Sequence, residues 1–309
     1  MRRSSVVLGL DFGGTKIAAA VGELSGQRLG ATTVDSLPEA GAEAAMARGL
    51  SAARALLADV APGRELAAVG AATLGIPYDD RVELAPTFPG WGELAFGQLV
   101  REAFPGVPVR LGTDVKAAAA AELRWGALAG CDPGIYLNLG TGLAAAIVAG
   151  GTVISGAHGA SGEIGYNLRT AADVWIDPAE RTILEDLVSG QALEVTGSAR
   201  LGRRVTAADV FASPQPDAAA LTDEFNRELA MHVANLAIAI DPVRIVVGGG
   251  LVGSWDRIAP ELRRALDAAV PYPPELMVAR FPSDAPLVGA LALGVEAAGL
   301  VPTMQDIEY

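Results

Sequence analysis

Six consecutive residues, Asp11-Phe12-Gly13-Gly14-Thr15-Lys16, bring together a carboxylate, two glycines, a hydroxyl and an amine. Tight glycine turns expose backbone N–H groups, and such concave arrays attract phosphate oxygens. Asp11, where an apolar strand ends, has the chemistry to hold Mg2+ through water, because that hard cation prefers carboxylate and water oxygens. The plainer alternative is a hairpin whose Asp and Thr bond their own turn. A second copy adds weight to the phosphate reading. Residues 6–21, VVLGLDFGGTKIAAAV, are echoed by residues 135–148, IYLNLGTGLAAAIV, with Gly140, Thr141 and Gly142 in the turn. Two such turns suggest a nucleotide phosphate tail gripped from two sides. Gly248-Gly249-Gly250 follows the β-branched stretch VRIVV. Ligands bind at the carboxyl edge of such strands, and glycines there let a flat adenine or ribose lie against backbone. A GGG run also serves as a plain strand-to-helix turn.

Three carboxylates suit an acceptor. Asp114 follows Gly112-Thr113 and precedes an alanine-rich stretch. Thr and Asp are favoured N-caps, and spacing alone favours that role. The same position suits a general base that takes a proton from a hydroxyl attacking a γ-phosphate. Glu163 lies in Ser161-Gly162-Glu163-Ile164-Gly165 and Glu185 in Ile183-Leu184-Glu185-Asp186. A polyol pocket needs acceptors on rigid turns, and a carboxylate accepts from two hydroxyls at once. Glu163, between glycines, is not placed as a helix former; Glu185, taken locally, reads first as a solvated helix residue. His158 falls in the same loop as Glu163, whereas His232 reads as packing in mid-helix. Two histidines and the single cysteine, Cys131, leave no ligands for a His-rich or thiolate-rich cluster.

These groups need strands and helix starts to hold them. Residues 5–12, 15–23 and 28–35 read as strands, 39–59 as a helix, 66–74 as a strand entering Gly75-Ile76-Pro77, and 107–111 as a strand before a helix over 114–127. The second half repeats the scheme with a hairpin at 134–149, a glycine-rich loop at 156–165, and helices at about 180–200, 206–212 and 217–240. A strand at 243–247, a helix near 256–269, a strand near 276–280 and a helix at 286–299 complete it. Meanders followed by alternating strands and helices predict α/β lobes with mixed sheets. The expected boundary lies near residue 112, giving a small lobe over 1–112 and a large lobe over 113–285. The last helix, 286–309, is expected to pack back on the small lobe. Without a low-complexity linker, the lobes should meet directly and form a cleft.

The 309 residues suit two lobes of ~150 residues. A net charge of −13 offers no basic surplus for nucleic acid, though a few cations can still meet one nucleotide. No run of ~20 apolar residues exists to span a membrane. The start, MRRSSVVLGLDFGG, has too short an apolar core for a secretory signal, so a cytoplasmic protein is expected.

Residues 8–17, LGLDFGGTKI, and 139–143, LGTGL, resemble the two phosphate motifs of the ROK family (repressors, open reading frames and sugar kinases), a branch of the actin-like ATPase and sugar kinase superfamily. Residues 156–165, GAHGASGEIG, resemble its sugar-binding loop, and 246–251, VVGGGL, its adenosine motif. The resemblance covers nearly the whole chain. It implies an α/β, two-lobed actin-like ATPase (ribonuclease H-like) fold with mixed sheets and a central cleft, and a homodimer. It also implies ATP- and Mg2+-dependent phosphorylation of a primary hydroxyl on a hexose-like substrate. On this reading Asp114 is the general base, and Glu163 and Glu185 hold ring hydroxyls. Gly13, Gly14, Thr15, Lys16, Gly140, Thr141 and Gly142 surround the phosphates, and Gly248, Gly249 and Gly250 the adenosine.

The departures from the family pattern cluster on the acceptor side. A histidine commonly follows Glu-Ile-Gly there, and with a cysteine cluster it binds a structural zinc. Here Tyr166 stands in that position and residues 167–185 hold no cysteine. No structural zinc is therefore expected, and packing through Trp175 is expected to order the loop. Thr113 replaces the usual Asn before Asp114, Tyr78 a glycine after Gly75-Ile76-Pro77, and Thr87 an Asn. One missing or added hydroxyl partner changes selectivity by a factor of ~10⁴, so edits at Tyr78, Thr87, Thr113 and Tyr166 around one pocket point to a changed substrate. A hexose-like sugar, an amino sugar such as kanosamine and a C7 cyclitol such as a valiolone derivative fit, with a plain glucokinase as the alternative. Readings of other classes are a non-catalytic sugar-sensing regulatory protein and an actin-like ATPase scaffold. The family's repressors carry an N-terminal DNA-binding domain, for which a first strand beginning at residue 5 leaves no room.

Overall fold

The computed structural model describes residues 5–85, 88–177, 180–282 and 284–299. The chain forms two compact units. One takes the stretches up to Gly130, from Gly151 to Ala160 and from Asp284 onward; the other takes Cys131–Gly150 and the stretch that begins at Ser161.

The first unit opens with β1 (Val6–Phe12), β2 (Lys16–Glu23) and β3 (Arg28–Asp35), followed by α1 (Ala42–Val60) and β4 (Leu66–Thr73). Short β5 (Ile76–Pro77) and β6 (Val82–Glu83), α2 (Phe96–Ala103), β7 (Val109–Thr113) and α3 (Asp114–Trp125) follow. The sheet order is β3-β2-β1-β4-β7, antiparallel across β3-β2-β1 and parallel across β1-β4-β7. β1 carries no polar side chain before Asp11 because both of its faces are covered. Val6, Leu8, Leu10 and Phe12 pack with Ala45, Met46 and Ala53 of α1, while Val7 points to the opposite face. This period-2 division sends Asp11 away from the α1 side.

The second unit starts with β8 (Gly134–Leu139) and β9 (Leu143–Ala149); short β10 (Thr152–Val153) then packs against α3 in the first. α4 (Gly190–Leu201), α5 (Ala207–Ala212), α6 (Pro216–Ile240), β11 (Arg244–Gly248), α7 (Trp255–Ala269) and β12 (Glu275–Val278) continue the second unit. Its strands stand in the order β9-β8-β11-β12, with β9 antiparallel and the others parallel. Each unit thus has a central first strand flanked by its own hairpin partner and by a later parallel strand, as the repeated sequence implies.

The last helix, α8 (Ala285–Ala297), lies on β1, β4 and α3 of the first unit. The approach is so close that a Cβ on Gly70 would overlap the carbonyl oxygen of Ala290. Leu287, Leu291 and Val295 close the core over Val7, Ala20 and Ala68. Because α3 packs on α8 and β10, it stays with the first unit, and the units divide at Gly130 rather than near residue 112.

The helices differ from the sequence expectation in three places, and the short β5, β6 and β10 were not expected. α1 begins at Ala42, since Pro38–Ala40 form a separate 3-10 turn. α2 is not among the expected elements, although Phe96, Val100 and Ala103 fall at helical spacing and are buried. Residues 180–189 are not α-helical: Leu184–Asp186 form a 3-10 turn, and α4 starts only after Ser189 caps it. No helix among the described residues is long and apolar enough to cross a membrane.

Candidate active site

In the first unit the candidate residues gather at the carboxyl ends of β1, β4 and β7. Asp11 pairs in register with Ala72 of β4, which pairs with Gly112 of β7. Asp114 begins α3 two residues beyond Gly112. Phe12 anchors the end of β1 in an aromatic cluster with Trp91 and Phe96, and Trp91 Nε1 donates to Thr73 Oγ1 at 2.9 Å. Burial, and then the nearby Asp114 charge, push the Asp11 carboxyl up to about 7. Thr113 Oγ1 accepts from Lys116 N at 3.2 Å as the N-cap of α3, and Asp114 Oδ1 accepts from Val115 N at 2.9 Å. Thr113 is buried and Asp114 half-buried, so the cap leaves Asp114 as the more accessible of the two.

The turn at 13–16 is closed by Gly13 N–H donating to Lys16 O at 3.0 Å and braced by Ser36, whose Oγ donates to Gly13 O at 2.7 Å. Gly14, Thr15 and Lys16 are exposed, and the N–H groups of Gly14 and Thr15 have no partner among the described residues. Gly75 turns the chain with φ 76° before Tyr78. The Tyr78 hydroxyl donates to His158 O at 2.7 Å, and the Arg81 guanidinium lies 4.3 Å from its ring centre. Thr87 lies outside the described residues.

The second unit carries the other glycine turn. Gly140 N–H donates to Gly142 O at 3.1 Å, while the first two N–H groups of α4, from Gly190 and Gln191, donate to Gly140 O and Thr141 O at 2.8 and 3.2 Å. The N–H groups of Thr141 and Gly142 have no partner among the described residues. Beside this turn is a cavity of about 640 Å³, lined by Gly140, Thr141 and Gly250 and by Gln191, Glu194, Val195, Thr206 and Ser254. Gly248 and Gly249 lead into it without lining it: Gly248 passes against the Tyr136 ring and Gly249 against Leu139 O. Sequence reasoning missed Gln191, Glu194, Val195, Thr206 and Ser254. Ser189 as N-cap is the signal that would have placed the start of α4 here.

Glu163 is positioned by Gly162, which adopts φ 82° and passes so close to β9 that a side chain would strike Ala145 O. Ala145 N–H donates to Gly162 O at 2.8 Å. The Ile164–Tyr166 turn packs against the Leu184–Asp186 turn, which brings Glu163, Tyr166 and Glu185 together. Glu185 is no solvated helix residue: it is half-buried, and its Oε2 accepts from Leu143 N at 2.6 Å. Burial first, then the charges of Glu185, Glu163 and Asp186, push the Tyr166 phenol up.

The loop beyond Tyr166 is not ordered through Trp175, which is 88% exposed. Polar contacts hold it instead. Asn167 Nδ2 lies 3.3 Å from His232 Nδ1, and Arg169 pairs with Glu228 of α6 at 3.4 Å. Asp173 accepts from the N–H groups of Arg169 and Thr170 at 2.9 and 2.7 Å. His232 is buried, and burial lowers its pKa. Among the described residues no group of three or more His, Cys, Asp or Glu side chains is arranged to hold a metal ion.

Residues 7–297 match the model of the ROK family. The chain belongs to the ROK family. A kanosamine kinase from Amycolatopsis mediterranei is 30% identical to this ROK chain over 307 residues, 96% of this chain and 98% of that protein. A ROK hexokinase from Thermus thermophilus superposes with a TM-score of 0.80 at 30% identity, covering 95% of this chain and 99% of its own. A ROK glucokinase from Streptomyces griseus, solved in complex with glucose and AMPPNP, gives a TM-score of 0.74 at 28% identity, covering 94% and 99%. The fold is that of the actin-like ATPase superfamily, and the chain is a kinase of the ROK family.

Proposed function

We propose that this ROK kinase transfers the γ-phosphoryl group of ATP to the exocyclic primary hydroxyl of an amino sugar, a hexose-like sugar or a C7 cyclitol. The observation that carries the chemistry is the placement of Asp114 at the start of α3 beside Asp11, at the carboxyl edge of β1-β4-β7. Asp114 acts as general base: it takes the proton of the acceptor hydroxyl as that oxygen bonds to the γ-phosphorus and ADP departs. The N–H groups of Gly14 and Thr15 in the first unit, and of Thr141 and Gly142 in the second, are donors for phosphate oxygens.

The cavity beside Gly140 and Gly250 has the volume of a small-molecule pocket and suits the nucleoside. Asp11 fits Mg2+ on chemical grounds, because a carboxylate held near neutrality by burial and a second carboxylate regains its charge beside a cation. When bound, the ion neutralises charge on the phosphate oxygens.

Glu163 and Glu185 hold acceptor hydroxyls. The carboxylates surrounding Tyr166 favour an acceptor that bears an amine, in keeping with the kanosamine kinase relative. A plain glucokinase is the second reading, favoured by the match to the Streptomyces griseus enzyme. A coupled ADP-release assay across glucose, mannose, kanosamine, glucosamine and C7 cyclitols decides between them. The highest kcat/KM is expected on an amine-bearing acceptor; a preference for glucose selects the second reading. Turnover on none of them, by folded protein that still binds a sugar, supports a sensor instead.

A further inference from the structure

We propose that Glu185 is a positioning residue that couples acceptor recognition to the second phosphate turn. The inference rests on the kinase reading above, and deepens it at one side chain. Glu185 stands on the Leu184–Asp186 turn, but its Oε2 reaches across to accept from Leu143 N at 2.6 Å. Leu143 is the residue immediately after Gly140-Thr141-Gly142 and the first of β9. The same carboxylate oxygen lies so close to Gly142 that a Cβ there would have to displace it. The other oxygen, Oε1, has no hydrogen-bond partner among the described residues.

One carboxylate thus has one oxygen committed to the phosphate turn and the other available to a hydroxyl. The opposite side of that turn is already fixed by the N–H groups of Gly190 and Gln191 on its carbonyls. Removing Glu185 leaves the turn clamped on one side only. The N–H groups of Thr141 and Gly142 then lose their fixed aim at a phosphate. Glu163 heads the separate Ile164–Tyr166 turn, so its variant serves as the comparison.

The test measures AMPPNP affinity by calorimetry without any sugar, together with amide exchange at Leu143. Glu185→Ala should raise the AMPPNP Kd by about tenfold, the loss of one charge-assisted hydrogen bond, and should speed exchange at Leu143. Glu185→Gln, whose carbonyl oxygen still accepts, should restore most of both. Glu163→Ala should leave AMPPNP affinity within about twofold while raising the acceptor KM. The proposal is overturned if Glu185→Ala binds AMPPNP like the unsubstituted protein with unchanged exchange at Leu143. Rapid exchange at Leu143 in the unsubstituted protein overturns it too, and needs no variant to fold. If the unsubstituted protein binds no AMPPNP, the kinase reading fails, and exchange at Leu143 in Glu185→Ala still judges the contact.

Discussion

Asp11 and Asp114 divide one electrostatic problem between them. With its carboxyl pushed up to about 7, Asp11 in the folded protein binds a proton that the unfolded chain, with an ordinary Asp near 3.9, has already released. This contribution to stability is therefore fully present below about pH 4 and is lost as pH rises through about 7. Asp11→Asn should raise Tm more at pH 8 than at pH 5, as scanning calorimetry at both pH values would measure. The same ionisation is needed for a cation, so kinase activity should fall as pH drops below about 7, and added Mg2+ should move the fall to lower pH. An activity profile that ignores Mg2+ would remove Asp11 from the metal site. Asp114→Ala should cut kcat by about 10²–10⁴, the usual worth of a general base, with AMPPNP affinity within about twofold by calorimetry. Substantial remaining turnover would place the base elsewhere.

Local chemistry decides the elements that carry these side chains, except where a distant partner intervenes. The turns at Gly13–Lys16 and Gly140–Gly142 were legible because glycine and threonine between two apolar strands are themselves turn-forming residues. Thr113 was legible as a helix start for the same reason, and it is the cap. Glu185 was not, because what fixes it is Leu143, 42 residues earlier in the chain. Trp175 misled, since an aromatic residue suggests packing while the loop is held by Asn167, Arg169 and Asp173. α4 offers a test at this scale. Ser189 Oγ accepts from Ala192 N at 3.0 Å, and the next two N–H groups hold the Gly140–Gly142 turn. Ser189→Ala should lower unfolding free energy by about 1 kcal/mol, measured by urea titration, and weaken AMPPNP binding severalfold.

At the scale of the molecule, each unit repeats one plan, a central strand between its hairpin partner and a parallel neighbour, and the end of the chain completes the first unit. α8 can lie on β1 and β4 only because Gly70 offers no side chain there. Gly70→Ala should force backbone apart and destabilise by about 1–3 kcal/mol, the range for an overpacked core, as denaturant unfolding would show. A variant as stable as the parent would mean that the helix docks less closely.

The sequence by itself determined the paired glycine turns, the mixed α/β plan and the identity of the carboxylates, because turn chemistry and strand alternation act between neighbours along the chain. Tertiary structure alone decided that α3 belongs with the first unit, that Gln191, Glu194, Val195, Thr206 and Ser254 line a cavity, and that burial beside Asp114 pushes the Asp11 carboxyl up. It also decided that Glu185 grips the second turn. Each of these depends on close packing, burial or charge between residues far apart in sequence, and no local propensity encodes such a partner.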